Sequence, residues 1–254
     1  MLRSFKLGGT DWDDREYPLG EIQLPWMQIE DITSGYHQLE TASQRLAEAS
    51  TARAVTFYHC LEGHMTADYW AHNTMQSLTI CMRNSWRYEV DDFFQHFSGL
   101  TLPHLTSLRV LGQNYGYQPT EWSTIVGEFL SFLERSACSG LTSFTVVNIS
   151  ISSDDALELL RAMPTLLDLT LHELSDEAAF EEGDPDIIFT DDFLQQMSLS
   201  DTSTNDHGLY LPHLQSLSFR VNPHFSTSLF VRLVRSRWIP NSDGGTGQRW
   251  ASVA

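Results

Sequence analysis

Two groups of residues in this chain of 254 have the types and spacing for chemistry or recognition. His59, Cys60, His64 and His72 supply the imidazole and thiolate ligands that zinc takes. Zinc sites carry paired spacings such as C-x-x-C or H-E-x-x-H, and neither is present here. Asp184-Pro-Asp186 offers carboxylates, but the spaced Asp/Asn ligands, central Gly and terminal Glu of a calcium loop are missing. The chain also has no G-x-S-x-G elbow, G-x-x-x-x-G-K-S/T loop or G-x-G-x-x-G fingerprint, so the commonest hydrolase, nucleotide and dinucleotide sites are excluded. A non-catalytic protein with no cofactor and no metal is expected. The alternative is a metal-dependent enzyme built on His59, Cys60 and His64.

The second group is aromatic and basic. Tyr36 and His37, Tyr58 and His59, then Arg83, Trp86, Arg87 and Tyr88, and finally Tyr115 and Tyr117 follow four successive strand-like segments. Trp, Tyr and Arg are the side chains most enriched at binding hot spots, because they bury large area at low entropic cost and keep a polar tip. Stacked segments would align these residues along one rim, to bind a partner or to cap the exposed end of a core. The partner-binding candidates are Tyr36, Tyr58, Arg83, Trp86, Tyr88, Arg109, Tyr115 and Tyr117.

The elements that must position them come from an internal repeat. Leu102-Pro-His-Leu-Thr-Ser-Leu-Arg-Val110 and Leu211-Pro-His-Leu-Gln-Ser-Leu-Ser-Phe219 share six of nine residues across a hundred positions. Their common frame, apolar-x-x-apolar-x-apolar, recurs as Leu2/Phe5/Leu7, Ile29/Ile32/Ser34, Ala52/Val55/Phe57, Met75/Leu78/Ile80, Leu105/Leu108/Val110, Leu141/Phe144/Val146, Leu166/Leu169/Leu171 and Leu214/Leu217/Phe219. The spacing of these units fits leucine-rich repeats with insertions. Amphipathic helical stretches lie between them. Residues 153–162 start with capping Ser and Asp and stop at Pro164; residues 122–134, 191–197 after a capping Thr190, and 226–238 follow the same logic. Residues 39–49 and 91–97 are shorter versions.

Strand, turn and helix in a fixed order predict a right-handed α/β solenoid of about eight irregular leucine-rich repeats, with a parallel sheet on its concave side and helices outside. Side chains flanking the middle apolar position then face the concave side: Ser4/Lys6, Asp31/Thr33, Ala54/Thr56, Ser77/Thr79, Ser107/Arg109, Ser143/Thr145, Asp168/Thr170 and Ser216/Ser218. Residues 1–240 form the repeat domain, with insertions at 173–192 and 198–208. The Gly-rich 241–254 and the second insertion have mobile compositions. The first insertion holds nine acids and no Lys or Arg, the signature of a solvated loop or of a contact for a basic partner.

Composition bounds the partners. A net charge of -18 would repel phosphate backbones and anionic lipid, so neither nucleic acid nor a membrane is expected, and a protein partner, favoured to be basic, is. Three cysteines are too few and too odd for a disulfide framework, and no secretory signal precedes them, which together predict a cytoplasmic or nuclear, reducing location.

Several phrases resemble one family. The two Leu-Pro-His-Leu segments are similar to the repeat strands of F-box/leucine-rich-repeat proteins, especially the F-box-like sets of mushroom-forming fungi. Ile151-Ser-Ser-Asp-Asp-Ala-Leu-Glu-Leu-Leu-Arg-Ala-Met-Pro164 resembles their inter-repeat helix, and Leu233-Val-Arg-Ser-Arg-Trp-Ile-Pro240 their terminal one. The resemblance covers residues 100–240 well and 1–73 loosely. It implies a repeat region that holds the substrate of a ubiquitin ligase, while an F-box docks a Skp1-like adaptor. Leu24-Pro25-Trp26 lacks the Glu that opens an F-box, so a Skp1-like adaptor is expected only if an F-box exists outside this chain. On this reading the chain looks truncated relative to its relatives, and a repeat fragment without independent function is the other alternative.

Overall fold

The computed structural model describes residues 3–7, 23–35, 46–58, 70–82, 99–112, 126–137, 140–149, 151–173, 187–198, 211–220 and 225–238. Strands form where the apolar frame occurs, because alternating Leu, Val, Ile and Phe bury one side of an extended chain while Ser and Thr suit the other. In chain order they are β1 (Ser4–Leu7), β2 (Asp31–Gly35), β3 (Ala54–Tyr58), β4 (Trp70–Ala71), β5 (Ser77–Met82), β6 (Leu100–Thr101), β7 (Ser107–Gly112), β8 (Ser143–Val147), β9 (Asp168–His172) and β10 (Ser216–Arg220). The helices are α1 (Val126–Arg135), α2 (Ser153–Arg161), α3 (Asp191–Met197) and α4 (Thr227–Trp238).

Eight strands form one open parallel sheet in the order β1-β2-β3-β5-β7-β8-β9-β10. The architecture is the expected α/β solenoid, one strand for each of the eight frames. The register agrees residue for residue with the frame: Phe5, Ile32, Val55, Leu78, Leu108, Phe144, Leu169 and Leu217 are successive Cα partners. Ile29, Ala52, Met75, Leu105, Leu141, Leu166 and Leu214 form a second buried column beside it. A third column runs through Ser34, Phe57, Ile80, Val110, Val146 and Leu171. Ser34 breaks it: its buried hydroxyl has no hydrogen-bond partner.

Backbone and side chain both tie each strand to the last. The carbonyl one residue after the first apolar position accepts two N–H groups from the next repeat, as when Arg53 O accepts from Gln76 N at 2.8 Å and Ser77 N at 2.9 Å. The same pattern runs from Arg3 through Leu167 to Ser216. Threonines beside the first apolar position add a hydroxyl to this edge. The single Thr74 hydroxyl proton is shared between Ser50 O at 2.7 Å and Ala52 O at 2.9 Å, Thr51 lies likewise between Met27 O and Ile29 O, and Thr106, Thr142 and Thr165 each donate to one carbonyl of the preceding repeat. Each is worth about 1 kcal/mol net, so the edge is held by many small contributions.

The helices cover the apolar columns and pack consecutively on one another. In α1, Val126, Phe129, Phe132 and Leu133 are the buried face, and Phe129 lies 6.1 Å from Phe144 of β8. Ser152 caps α2 by accepting from Asp155 N at 3.1 Å, and Thr190 caps α3 by accepting from Phe193 N at 3.1 Å. Of residues 39–49, the described 46–48 are helical; residues 91–97, 122–125 and 241–254 lie outside the described residues.

Two features add to the sequence expectation. A second, two-stranded parallel sheet joins β4 to β6, where the inter-repeat segments before β5 and β7 run side by side. The apolar frame carries no signal for it, because two residues per strand are too short to show alternation. The acidic insertion, in turn, is anchored at both ends. Glu173 is buried and its Oε1 accepts from Ile188 N and Phe189 N, each at 2.9 Å, while Asp191 Oδ1 accepts from Ser226 N at 2.6 Å. Both acids accept from backbone N–H groups, Glu173 from a buried position and Asp191 from an exposed one.

The last repeat is closed by aromatic contacts. Phe189, Phe219 and Phe230 stack in sequence at 5.1 and 5.3 Å, and Phe225 joins Phe230 at 6.1 Å. At the other end Trp26, in the 3-10 turn Trp26–Gln28, meets Phe5 edge-on at 5.5 Å.

Candidate functional site: the open face of the sheet

One face of the large sheet lies under the helices and the other carries the side chains that alternate with the apolar columns. Three ladders cross this open face. The first runs Ser4, Asp31, Ala54, Ser77, Ser107, Ser143, Asp168, Ser216, and the second Lys6, Thr33, Thr56, Thr79, Arg109, Thr145, Thr170, Ser218. Both contain the flanking pairs expected from the frame. The third runs through Tyr58, Cys81, Leu111, Val147, His172 and Arg220.

Tyr58 and Arg109 are the two candidate binding residues within the described set; Tyr36, Arg83, Trp86, Tyr88, Tyr115 and Tyr117 lie outside it, as do His37 and Arg87. Tyr58 ends strand β3 rather than sitting in the turn beyond it, so its ring stands on the open face, 37% exposed. Its hydroxyl hydrogen-bonds the thiol of its cross-strand neighbour Cys81, with the Arg109 guanidinium close enough to act on both. Burial pushes the Cys81 thiol up to about 11, against the pull of Arg109, so the sulfur stays protonated and a poor nucleophile at neutral pH. Burial raises the Tyr58 phenol as well. Three strands from Cys81, His172 Nε2 lies 3.3 Å from Ser218 Oγ, and burial, aided by Arg220, holds the imidazole below its usual value.

Cys81, His172 and Arg220 were not singled out by their types. Continuing the alternation two residues past each flanking position would have placed them on the face, since the ladder keeps parity to the strand end.

His72 shows why residue type alone misleads. It is 4% exposed, with Nε2 3.0 Å from Ala49 O and Nδ1 3.5 Å from Thr74 Oγ1, so both ring nitrogens face protein groups that tie one repeat to the previous one. Burial lowers its affinity for a proton. Protonation near and below the ordinary value of 6.5 then favours the unfolded chain, so stability present above that pH declines as pH falls toward the lower folded value. Between about pH 7.5 and pH 5.5 the wild-type unfolding free energy, measured by urea titration, is expected to drop more than that of His72→Gln. Equal drops would contradict this assignment. His59, Cys60 and His64 lie outside the described residues, and among those described no group of His, Cys, Asp and Glu is placed to hold a metal ion.

No family model and no curated protein sequence matches this chain. Among the described residues no helix is long and apolar enough to cross a membrane.

Proposed function

We propose that this solenoid is a non-catalytic protein-binding module, comparable to the substrate-recognition part of an F-box-type ubiquitin ligase receptor. The observation that supports this is the open face itself: eight strands of hydroxyl-rich side chains away from the helices, most of them partly exposed, with exposed Tyr58 and Arg109 near the centre. Seven spacings of about 4.8 Å make it about 34 Å long, enough to seat about ten residues of extended chain. Ser and Thr donate and accept in any direction, Tyr and Arg supply anchor area, and the rigid hydrogen-bonded sheet means little ordering entropy is lost on contact. The module is read as working in an intracellular setting. A Skp1-like adaptor would be a partner only if an F-box exists outside this chain.

The test is affinity purification from source cells with three baits: wild type, Tyr58→Ala with Arg109→Glu, and the helix-face control Glu128→Lys. One stoichiometric protein retained by wild type and control and lost from the open-face variant is the expected result. A Skp1-like adaptor in the same eluate would support the ligase reading. Chaperones alone from every bait would contradict the module reading and favour a fragment without independent function.

A further inference from the structure

Charge is not spread evenly over this acidic chain. Among the described residues, exposed acids Glu128, Glu134, Asp154, Glu158, Asp191 and Asp192 lie on α1, α2 and α3, with Glu48 on the helical turn 46–48, while exposed Arg161 ends α2 and exposed Arg232 and Arg235 lie on α4. The open face carries only two described acids, Asp31 and Asp168, and both belong to the first ladder. The second and third ladders carry Lys6, Arg109 and Arg220, all exposed. Among the described residues none of these three cations forms an ion pair, whereas Arg3 pairs with Glu30 at 3.8 Å at the sheet edge.

We infer that the open face takes an extended acidic segment of a partner protein, laid across the strands with carboxylates opposite Lys6, Arg109 and Arg220. This rests on the reading of the face as a protein-binding surface and gives that partner its chemistry. Net charge alone selects a basic partner, but beyond a Debye length of about 8 Å exposed charges are largely screened, so the local sign decides which segment docks. Cations on a sheet face surrounded by hydroxyls meet carboxylates through charge-assisted hydrogen bonds, and Arg109 and Arg220 present forks that fit them bidentately. The acids of α1, α2 and α3 outnumber the exposed cation Arg161 on those helices and disfavour the same segment there.

The register sets the spacing. Lys6 and Arg109 share a ladder four strands apart, about 19 Å, and Arg220 lies three strands over and two residues along from Arg109, about 16 Å. An extended chain advances about 3.3–3.6 Å per residue, so acids about five residues apart meet successive cations. The Tyr58 ring borders the path between the first two.

The probe is a displayed library of random twelve-residue peptides selected on the full chain, with the recovered peptides synthesised and measured by fluorescence anisotropy. Enrichment of Asp and Glu at about five-residue spacing is expected. Affinity should fall at least tenfold in Arg109→Glu and in Arg220→Glu, fall with added salt, and stay unchanged in Glu128→Lys, each variant having the wild-type melting temperature. Enriched basic or apolar peptides whose binding is lost in Tyr58→Ala would overturn the acidic assignment while leaving the binding module standing. Failure to enrich any peptide, or binders indifferent to every open-face substitution, would overturn both. Concentration-dependent dimerisation abolished by Arg109→Glu would assign the face to a second copy of this chain and overturn the proposal.

Discussion

Phe144→Ala should lower the unfolding free energy by about 4 kcal/mol, because truncating a buried phenylalanine removes transfer free energy and leaves a cavity. Phe144 is 2% exposed in the middle column of the sheet, has Leu108 and Leu169 as its strand partners, and touches Phe129 of α1. A hole there opens at the centre of the stack, where neither neighbouring strand can move in without breaking its own ladder. Its chain neighbour Thr145 points the other way, so Thr145→Ala should cost under about 0.5 kcal/mol. Urea titration of both variants with unchanged slope measures the contrast. Equal costs would mean that the inward and outward faces of β8 are misassigned.

Arg237→Met is the second large effect, about 3 kcal/mol. The Arg237 side chain is 8% exposed; its Nε donates to Met197 O at 2.7 Å and its Nη1 to Leu211 O at 2.9 Å. One guanidinium thus joins three elements: it projects from α4, ends α3, and fixes the turn that leads into β10. Met197 closes α3, where unpaired carbonyls and the helix dipole favour a cation. Burial lowers the Arg237 pKa to about 10, far above neutrality, so the charge is retained and satisfied by backbone oxygens. Methionine fills the volume but leaves both carbonyls short of a donor. Because repeats contact mainly their neighbours, the loss should appear first as faster amide exchange in α3, α4 and β10, with β2 and β3 unaffected. Uniform acceleration across the sheet would contradict this clamp.

Most of the architecture was legible in the sequence because burial imposes it. The frame around Leu108 and Leu217 locates every strand of the large sheet, and the Ser-Asp start of residues 153–162 and the capping Thr190 locate two helices within a residue, with Ser152 as the cap of the first. Three things were not legible. The β4–β6 pair is too short to show a period. The threonine hydroxyls that bond back one repeat look like ordinary polar residues until the register is known, although their recurrence beside Ala52, Met75, Leu105, Leu141 and Leu166 is visible afterwards. Gly112 belongs with them: a Cβ there would collide with the backbone carbonyl of Asn148. Asn148 holds a φ of 56° and donates from Nδ2 to Gly112 O at 3.3 Å. A close backbone approach of this kind depends on where the next repeat lies, which spacing alone does not give.

The candidate site divides differently. Parity places Arg109 on the concave side, and residue type points to Tyr58 while the frame puts it in a turn. Its position on the face, against Cys81, follows from β3 extending one residue beyond the frame. His72, chosen as a metal-ligand type, is a buried link between repeats.

The most direct test of the open face as the binding surface is site-specific photo-crosslinking in source-cell lysate. A benzophenone side chain at Thr145, on the open face, is compared with one at Glu158, exposed on α2. A single discrete crosslinked protein from position 145 and none from position 158 is the predicted result. The reverse pattern, with the discrete product from the helix side, would contradict the account.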